Sequence, residues 1–363
     1  MTSEFLGLPG AVAATGADAG VAAHYGDPFR EQRALARGEA VVDLSHRAVI
    51  SVSGSDRLSW IDSITSQAVK GMRPGDSSET LLLDQHGHLE YAVGLLDDGE
   101  TLWMLLEASE APGLLDWLTR MRFMLRVEPA DRSAEFAVIG AVGDAGLPAA
   151  APAGVPLIWR DPWSAVAPGG HQYAAADGHP AADWHWTQTI VPRSALAEIA
   201  ATRPAAGILA AEALRIAAWR PRAATEVDER SIPHELDWLR SAVHLTKGCY
   251  RGQETVAKVH NLGHPPRRLV MLHLDGSDAV LPHPGDEVML KDKCVGKITS
   301  SAIHFELGPI ALAVVKRSAD PASTLTVATD DTTVAAAQEI IVPPDAGATA
   351  GVPRIPRLGA VRR

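Results

Sequence analysis

Short apolar runs alternate with polar turns over the first 145 residues, a pattern that predicts β-strands with two helices among them. One helix begins at Asp56, a residue type suited to the N-cap position. The second covers 112–120 and has leucines along one face. The predicted strands are 48–52, 80–83, 89–96, 101–106, 123–127 and 136–142.

The second half of the chain changes its pattern twice. Residues 144–183 are rich in Ala, Gly and Pro, which predicts irregular structure. A strand at 187–191 and helices at 194–202 and 208–219 are expected next. After a linker at 264–266, strands follow one another without helices, and this predicts a small barrel. Its strands are 267–274, 287–290, 294–300, 310–315, 324–328 and 339–342.

Composition and charge narrow the class of protein. Apolar residues make up 46% of the 363 residues, enough for an extensive core in two or three domains. The net charge of −11 disfavours general nucleic-acid binding, which needs an excess of basic residues. We expect a cytoplasmic protein without membrane binding, because long uncharged apolar stretches and a signal-peptide pattern are missing. Residues 1–23 and 344–363 are expected to be flexible ends.

Familiar catalytic and metal-binding motifs do not occur in the sequence. There is no phosphate-binding glycine loop with the right spacing and no Gly-x-Ser-x-Gly elbow. His86 and His88 are interpreted as turn residues, and no metal site is expected. Cys249 and Cys294, expected to be reduced, are too few to hold an iron–sulfur cluster by thiolates alone.

The segment 244–268 is the most informative part of the sequence. It carries five basic residues against one acidic residue, in a chain that is acidic overall. Within it lies the octet Lys247-Gly248-Cys249-Tyr250-Arg251-Gly252-Gln253-Glu254. Its two cations are expected to favour the thiolate of Cys249, which is the reactive form. A small buried structural cysteine is the alternative interpretation, and the residues alone leave both open.

The octet resembles the signature of the YgfZ family of folate-binding proteins. These are relatives of the glycine-cleavage T-protein, an aminomethyltransferase. The resemblance covers roughly residues 24–320 and is weak over 144–190. Its other supporting segments are Asp43-Leu44-Ser45-His46, Glu212-Ala213-Leu214-Arg215, Gly296-Lys297-Ile298-Thr299-Ser300 and Ala311-Leu312-Ala313-Val314-Val315-Lys316-Arg317.

This resemblance implies an α+β fold with three lobes. Two mixed α/β lobes would surround a central cavity, and a small C-terminal β-barrel would form the third lobe. The folate-binding region would cover 24–262 and the barrel 267–343. The cavity would receive tetrahydrofolate or a one-carbon derivative of it.

The resemblance also implies an accessory protein that supports iron–sulfur cluster assembly or repair in client enzymes, and linked tRNA modification. Its partners would be folate and iron–sulfur client proteins or assembly factors. Cys249 is the catalytic candidate, as a thiolate or transient ligand at the rim of the cavity. The folate-binding candidates are Lys247, Gly248, Tyr250, Arg251, Gly252, Gln253, Glu254, Lys258 and Arg215.

Two other functions stay open at this point. In the T-protein, an acidic pair after a glycine supplies the catalytic carboxylate. Here Glu90 stands at the first acidic position of the matching stretch and Tyr91 replaces the second. A one-carbon transferase would use Glu90 as general base, whereas a non-catalytic interaction scaffold would need neither residue. Arg215 would either bind a folate carboxylate or stabilise its own helix.

Overall fold

A computed structural model describes residues 3–277, 280–330 and 332–351 of the chain. The strands are β1 Val12–Ala13, β2 Ala22–His24, β3 Val41–Asp43, β4 Ala48–Ser53, β5 Ser77–Leu83, β6 Leu89–Asp97, β7 Thr101–Leu106, β8 Glu128–Asp131, β9 Phe136–Val142, β10 Ile158–Arg160, β11 Trp186–Pro192, β12 Ala205–Ala206, β13 Arg267–Leu274, β14 Glu287–Leu290, β15 Lys293–His304, β16 Gly308–Lys316, β17 Leu325–Ala328 and β18 Thr333–Ile340. The helices are α1 Pro28–Ala36, α2 Arg57–Ile64, α3 Ala111–Met121, α4 Leu196–Thr202, α5 Ile208–Ala217, α6 Ala223–Glu226 and α7 Gln253–Leu262.

Two five-stranded sheets form the first part of the fold. One has the order β10-β11-β9-β3-β12, with β3 and β12 parallel and the other pairs antiparallel. The other has the order β5-β6-β7-β4-β8 and is antiparallel throughout. Their strands bury both faces, which explains the nearly continuous apolar runs of β4, β7 and β9.

The C-terminal strands form a closed barrel with the order β13-β16-β15-β14-β17-β18. Every neighbouring pair is antiparallel, and closure removes the exposed edges that a sheet of short strands would present. Alternate residues such as Val270, Leu272 and Val315 fill the barrel interior. The architecture is the predicted α+β fold with two mixed α/β regions and a small barrel.

One apolar core joins the three parts of the fold. It contains residues of both sheets, much of α5 and the barrel residues Leu269 and Met271. A second core packs α2 and α3 on the β4–β7 face. A third packs α4 and the N-terminal residue Phe5 on the other sheet. Of the helices described here, none is long and apolar enough to cross a membrane.

Most predicted elements occur at their predicted places, but two strand assignments are wrong. Residues 123–127 form a turn, and the strand begins only at Glu128. Phe123 has a backbone φ of 44°, and Met124 is 98% exposed, so residues 123–125 lie outside the core and only Val127 of this run is buried. The last barrel strand is β18, ahead of the predicted 339–342, because its alanines pack against β13 and β17.

The N-terminal residues are packed rather than loose. Phe5 is fully buried, and Ser3 accepts a hydrogen bond from the Phe5 amide to start a short 3₁₀ turn. β1 and β2 pair with each other within the predicted arm. At the other end, Thr349 and Ala350 donate backbone hydrogen bonds to α7, and Ala346 is buried. The rest of the predicted flexible tail, 352–363, lies outside the described residues.

Candidate functional site

A central cavity of about 100 Å³ lies where the two sheets and α5 meet. Strands β5, β6 and β7 contribute one wall, β10 and β11 a second, and α5 with the following turn a third. Four tryptophans line it, at positions 159, 184, 186 and 238. These flat aromatic rings give the cavity walls suited to a planar ligand.

Two glycines make room for the aromatic walls. A Cβ on Gly94 of β6 would lie 3.0 Å from the indole ring of Trp159. Gly140 of β9 faces Trp186 across the antiparallel pair, and a Cβ there would overlap its ring. Trp159 is fixed by an indole hydrogen bond of 2.7 Å to the Ser78 carbonyl. Trp159 and Trp186 therefore lie on sheet strands, β10 and β11, rather than on a flexible loop.

An ion-paired group at one end of the cavity centres on Arg220. Its guanidinium contacts Glu79 and, at 3.0 Å, Asp161. Ser241 donates a 2.6 Å hydrogen bond to Glu79, and the Trp184 indole donates one of 2.9 Å to Asp161. Burial raises the pKa of Glu79, against the pull of the neighbouring arginine. The carboxylates thus fix both the arginine and one tryptophan of the wall.

A second ion-paired group at the cavity centres on Arg222. It binds Glu107 at 2.7 Å and Asp18 at 2.8 Å. Burial alone would raise the pKa of Glu107, but Arg47 and Arg222 together hold that pKa at about 2. Glu107 and Asp18 are therefore ionised at neutral pH. The N-terminal segment reaches the site through Asp18.

Several buried polar atoms of the cavity residues have no hydrogen-bond partner within the described part of the chain. They are the Arg47 Nε, the Gln188 Oε1, the Arg220 Nη1 and the Trp238 Nε1. A buried polar atom without a partner costs free energy, and most such atoms in folded proteins are satisfied by protein, water or ligand. The cavity therefore offers three donors and one acceptor beside aromatic walls, which suits a polar heteroaromatic ring.

Arg215 lines the same cavity but has its donors in use. Its guanidinium contacts Glu212, Glu226, the Arg220 carbonyl and the Ser300 hydroxyl. These contacts occupy all five N–H groups of the side chain. They join α5 to the barrel, as expected if Arg215 stabilises its own helix. To bind a carboxylate of a ligand, Arg215 would first have to break one of these contacts.

The octet lies on a loop that is anchored by its lysine. Lys247 Nζ donates hydrogen bonds to the carbonyls of Asp62, Thr65 and Gln67, the last two at 2.8 and 2.7 Å. These carbonyls lie at the C-terminal end of α2, where helix carbonyls lack partners and a positive charge is favoured. Only 3% of the Lys247 side-chain surface is exposed. Lys247 is thus an internal cap rather than an open cation.

The other side of the loop is anchored by Arg251 and Gly252. Arg251 forms a 2.8 Å ion pair with Glu90 of β6. Gly252 has φ of 83°, and a Cβ there would lie 2.6 Å from the Asp84 carbonyl, so glycine is required where α7 begins. Glu90 lies at a bulge of β6, where the strand has one residue more than its partner β5, and it does not line the cavity.

Cys249 is exposed on this loop and does not line the central cavity. Lys247 likewise does not line it, so Cys249, Lys247 and Arg215 do not open onto one cavity. The expected thiolate-stabilising cations are directed to the α2 carbonyls and to Glu90. Lys258 is exposed on α7, and Gln253 hydrogen-bonds the Lys247 carbonyl. Cys249 and Cys294 are both free thiols.

The resemblance predicted a central cavity, but apart from Arg215 the sequence identified none of the residues that line it. Its tryptophans and Gln188 are spread over 80 residues, partly in the stretch expected to be irregular, and no local motif joins them. The available signal was composition, because tryptophan is more frequent than phenylalanine or tyrosine in this chain. The helix α7 was missed as well, since its apolar residues are few and only Val256 is buried.

Comparisons with known proteins agree with this fold. Residues 267–341 match the model of the glycine cleavage T-protein C-terminal barrel domain. A "putative transferase", chloroplastic, of Arabidopsis thaliana is 25% identical over 82% of this chain and 70% of its own length. An aminomethyltransferase of Streptomyces coelicolor is 25% identical over 82% of each chain. The solved aminomethyltransferase T of Bartonella henselae superposes with a TM-score of 0.73 at 16% identity, covering 94% of this chain and 96% of that one.

The chain has the T-protein-like fold, with mixed α/β sheets around a centre and a closed six-stranded C-terminal barrel. The barrel match, the aminomethyltransferase relatives and the structural neighbour all relate this chain to the glycine cleavage T-protein superfamily.

Proposed function

We propose that the central cavity binds a reduced folate, tetrahydrofolate or a one-carbon derivative, through its pterin ring. The observation that carries this proposal is the set of unpartnered polar atoms beside tryptophan walls. A pterin presents ring N–H groups, ring nitrogens and a carbonyl oxygen on one planar edge. Gln188 Oε1 would accept from such an N–H, and Arg220 Nη1 and Trp238 Nε1 would donate to acceptors.

The cavity residues suggest binding and orientation more than proton transfer. Each of the four carboxylates that line the cavity is ion-paired to an arginine; they are Glu79, Glu107, Asp161 and Glu212. A general base must reach the proton that it removes, and a paired, buried carboxylate is poorly placed for this. We therefore favour an accessory role over turnover.

The accessory role that we propose is support of iron–sulfur cluster assembly or repair in client enzymes, and of linked tRNA modification. Support comes from the octet and from the exposure of Cys249 on a loop with two anchors. An exposed thiol outside the cavity is accessible to a client protein while folate is bound. The iron–sulfur cluster would belong to the client, as substrate of the process rather than as a resident group.

A folate-dependent aminomethyl or one-carbon transferase is the second candidate function. The names of the curated relatives favour it. Glu90 is its general-base candidate, and it lies on β6, the strand that also carries the cavity residues Ala92 and Gly94. The 2.8 Å ion pair with Arg251 would have to open before Glu90 could accept a proton. A scaffold without folate dependence is the third alternative, and it gives no reason for the unpartnered atoms of the cavity.

Folate binding is tested by calorimetric titration with tetrahydrofolate. We expect saturable binding, and Gln188→Ala should weaken it about tenfold because one buried hydrogen bond is lost. Gln85→Ala, which changes an exposed glutamine of the β5–β6 turn, is the matched control and should bind like wild type. Lack of binding by the wild type would refute the proposal.

The accessory and transferase roles are separated by their residues. In cells lacking this protein, Cys249→Ala should fail to restore the activity of iron–sulfur enzymes, whereas Cys294→Ala should restore it. Formation of methylene-tetrahydrofolate from an aminomethyl donor, abolished by Glu90→Gln, would instead establish the transferase. Full complementation by Cys249→Ala would contradict the role given to this thiol.

A further inference from the structure

A cluster of three histidines and a tyrosine lies outside the central cavity. The rings of His171 and His260 are 4.7 Å apart, and the ring of Tyr173 is 4.8 Å from His171. The buried His234 lies on the other side of Tyr173, at 6.4 Å. Three segments meet here: the loop after β10, the 3₁₀ turn Pro233–Leu236 and α7.

The cluster connects the wall of the cavity to the helix that follows the Cys249 loop. On the cavity side, the Tyr173 amide donates a 2.7 Å hydrogen bond to Asp237, the residue before Trp238. On the other side, the Tyr173 hydroxyl contacts His260 Nδ1 of α7 at 3.1 Å. α7 buries only one side chain, Val256, so polar contacts contribute to its attachment, both these and the hydrogen bonds that Thr349 and Ala350 donate to its last turn.

The 3₁₀ turn Pro233–Leu236 makes a further contact to α7. His234 Nε2 donates a 3.0 Å hydrogen bond to the Val256 carbonyl. A carbonyl oxygen only accepts, so Nε2 must carry the hydrogen and the neutral ring leaves Nδ1 as an acceptor. That Nδ1 is buried and has no partner among the residues that the structure describes. The ring is therefore held in its neutral form.

The charge of the cluster depends on pH. Burial lowers the pKa of His171 and of His260, and it lowers the pKa of His234 to about 3. Burial raises the pKa of Asp237 to about 7 and raises that of Tyr173. As the pH falls from 8 to 6, the Asp237 carboxylate takes up a proton and loses its charge. The histidines take up protons more readily when the cluster opens, because burial in the closed form lowers their pKa values.

We propose that the cluster of His171, Tyr173, His234 and His260 is a proton-operated latch that holds α7, and with it the Cys249 loop, against the cavity wall. At neutral pH and above, uncharged rings in contact keep the latch closed. Protons on His171 and His260 place two positive charges on adjacent rings, and separation of α7 from the 171–173 loop relieves their repulsion.

The direction of the effect follows from the histidines. Their pKa values are lowered in the closed form, so the open form binds protons first as the pH falls below about 6.5. The histidines thus leave the closed form at its full stability above about pH 6.5, and they destabilise it as the pH falls below that value. Protonation of Asp237 relieves the cost of burying its charge and acts against opening, but it also removes the anion that could neutralise a charged His171. Asp237→Asn separates these two contributions.

Hydrogen–deuterium exchange of the full-length protein at pH 8.0 and 6.0, corrected for intrinsic exchange, tests the latch. In Asp237→Asn, which lacks the opposing carboxylate, amides of α7 and of the 246–252 loop should exchange at least about fivefold faster at pH 6.0 than at pH 8.0, while β13 and β16 serve as an internal control without change. The wild type should show a smaller increase, because protonation of Asp237 favours the closed form. Adding His171→Gln and His260→Gln to Asp237→Asn should abolish the pH response. The matched control replaces the exposed histidines at 185 and 283 by glutamine and should keep it.

Three results would overturn the latch. The first is pH-independent exchange of α7 in Asp237→Asn, and the second is an unchanged pH response when His171 and His260 are also replaced. If that variant does not fold, Tyr173→Phe gives an independent measurement. It removes the hydroxyl contact to His260 but keeps the ring, so α7 should exchange faster at pH 8.0 and show a smaller further increase at pH 6.0. Equal exchange to wild type at both pH values would also contradict the proposal.

Discussion

The central cavity and the Cys249 loop differ in how their residues are used. In the cavity, tryptophans and ion-paired side chains from distant parts of the chain surround a space, and some polar atoms have no partner within the described residues. In the loop, residues of the octet attach the loop to the rest of the fold. Lys247 binds the end of α2, Arg251 binds Glu90, and Gly252 fits against a carbonyl.

The cavity residues therefore have the features needed to recognise a ligand, whereas the loop residues hold the thiol of Cys249 at the surface. Lys247 lies two residues before Cys249 in the sequence, but its Nζ is directed to backbone carbonyls at the end of α2. The octet therefore defines the position of Cys249, while the capacity for a heteroaromatic ligand lies in residues outside the octet. The predictions below test this division of roles, beginning with the loop anchor.

The largest effect is expected for Lys247→Met. The variant keeps the length of the side chain but leaves three carbonyls at the end of α2 without their cation. The free energy of unfolding should fall by about 4 kcal/mol, because each of the three carbonyl oxygens that loses its donor costs about 1–3 kcal/mol. Urea denaturation measures this value. Lys258→Met, on the exposed face of α7, is the control and should change it by less than about 0.5 kcal/mol; similar values for both variants would show that Lys247 is no anchor.

A smaller and pH-dependent effect is expected for Glu107→Gln in the cavity. The folded pKa of about 2 lies below the ordinary value of 4.5, so the carboxylate stabilises the fold above about pH 4.5. The stabilisation is lost as the pH falls toward 2. The variant should lose about 3 kcal/mol at pH 7 but only about 2 kcal/mol near pH 3.5.

Denaturant unfolding of both proteins at the two pH values measures this difference. Glu254→Gln, which changes an exposed glutamate of the octet, should show no such pH-dependent difference. A loss for Glu107→Gln that is equal at both pH values would mean that its pairing with Arg222 does not depend on its charge.

The smallest effect on stability is expected for Cys249→Ala. The thiol is exposed, so the free energy of unfolding should change by less than about 0.5 kcal/mol. Alkylation of the native protein should modify Cys249 faster than the half-buried Cys294. A loss of stability above about 1.5 kcal/mol, or slow alkylation, would instead indicate the buried structural cysteine that the sequence left open.

Local pattern was sufficient for much of the fold. β13 was predicted with its observed bounds because a run of apolar residues, 269–272, follows soon after a double proline. β7 was predicted because both of its faces are apolar. The run 123–127 was assigned wrongly because Phe123, Met124 and Leu125 are apolar but exposed in a turn, a difference that depends on tertiary packing.

The candidate site was less predictable than the fold. The octet identified the loop, but the partners of Lys247 lie about 180 residues away and could not be inferred from spacing. Arg220 and Trp238 approach each other only when both sheets and α5 have formed. Sites assembled from separate strands have no sequence periodicity, whereas barrels and amphipathic helices do.

The most direct test of the account compares tetrahydrofolate binding by the wild type, Trp238→Phe and Cys249→Ala in calorimetric titrations. Trp238→Phe keeps an aromatic wall but removes the unpartnered Nε1, so its affinity should fall about tenfold. Cys249→Ala should bind within about twofold of the wild type, because the thiol does not line the cavity. The opposite order, with binding lost in Cys249→Ala and retained in Trp238→Phe, would contradict the account.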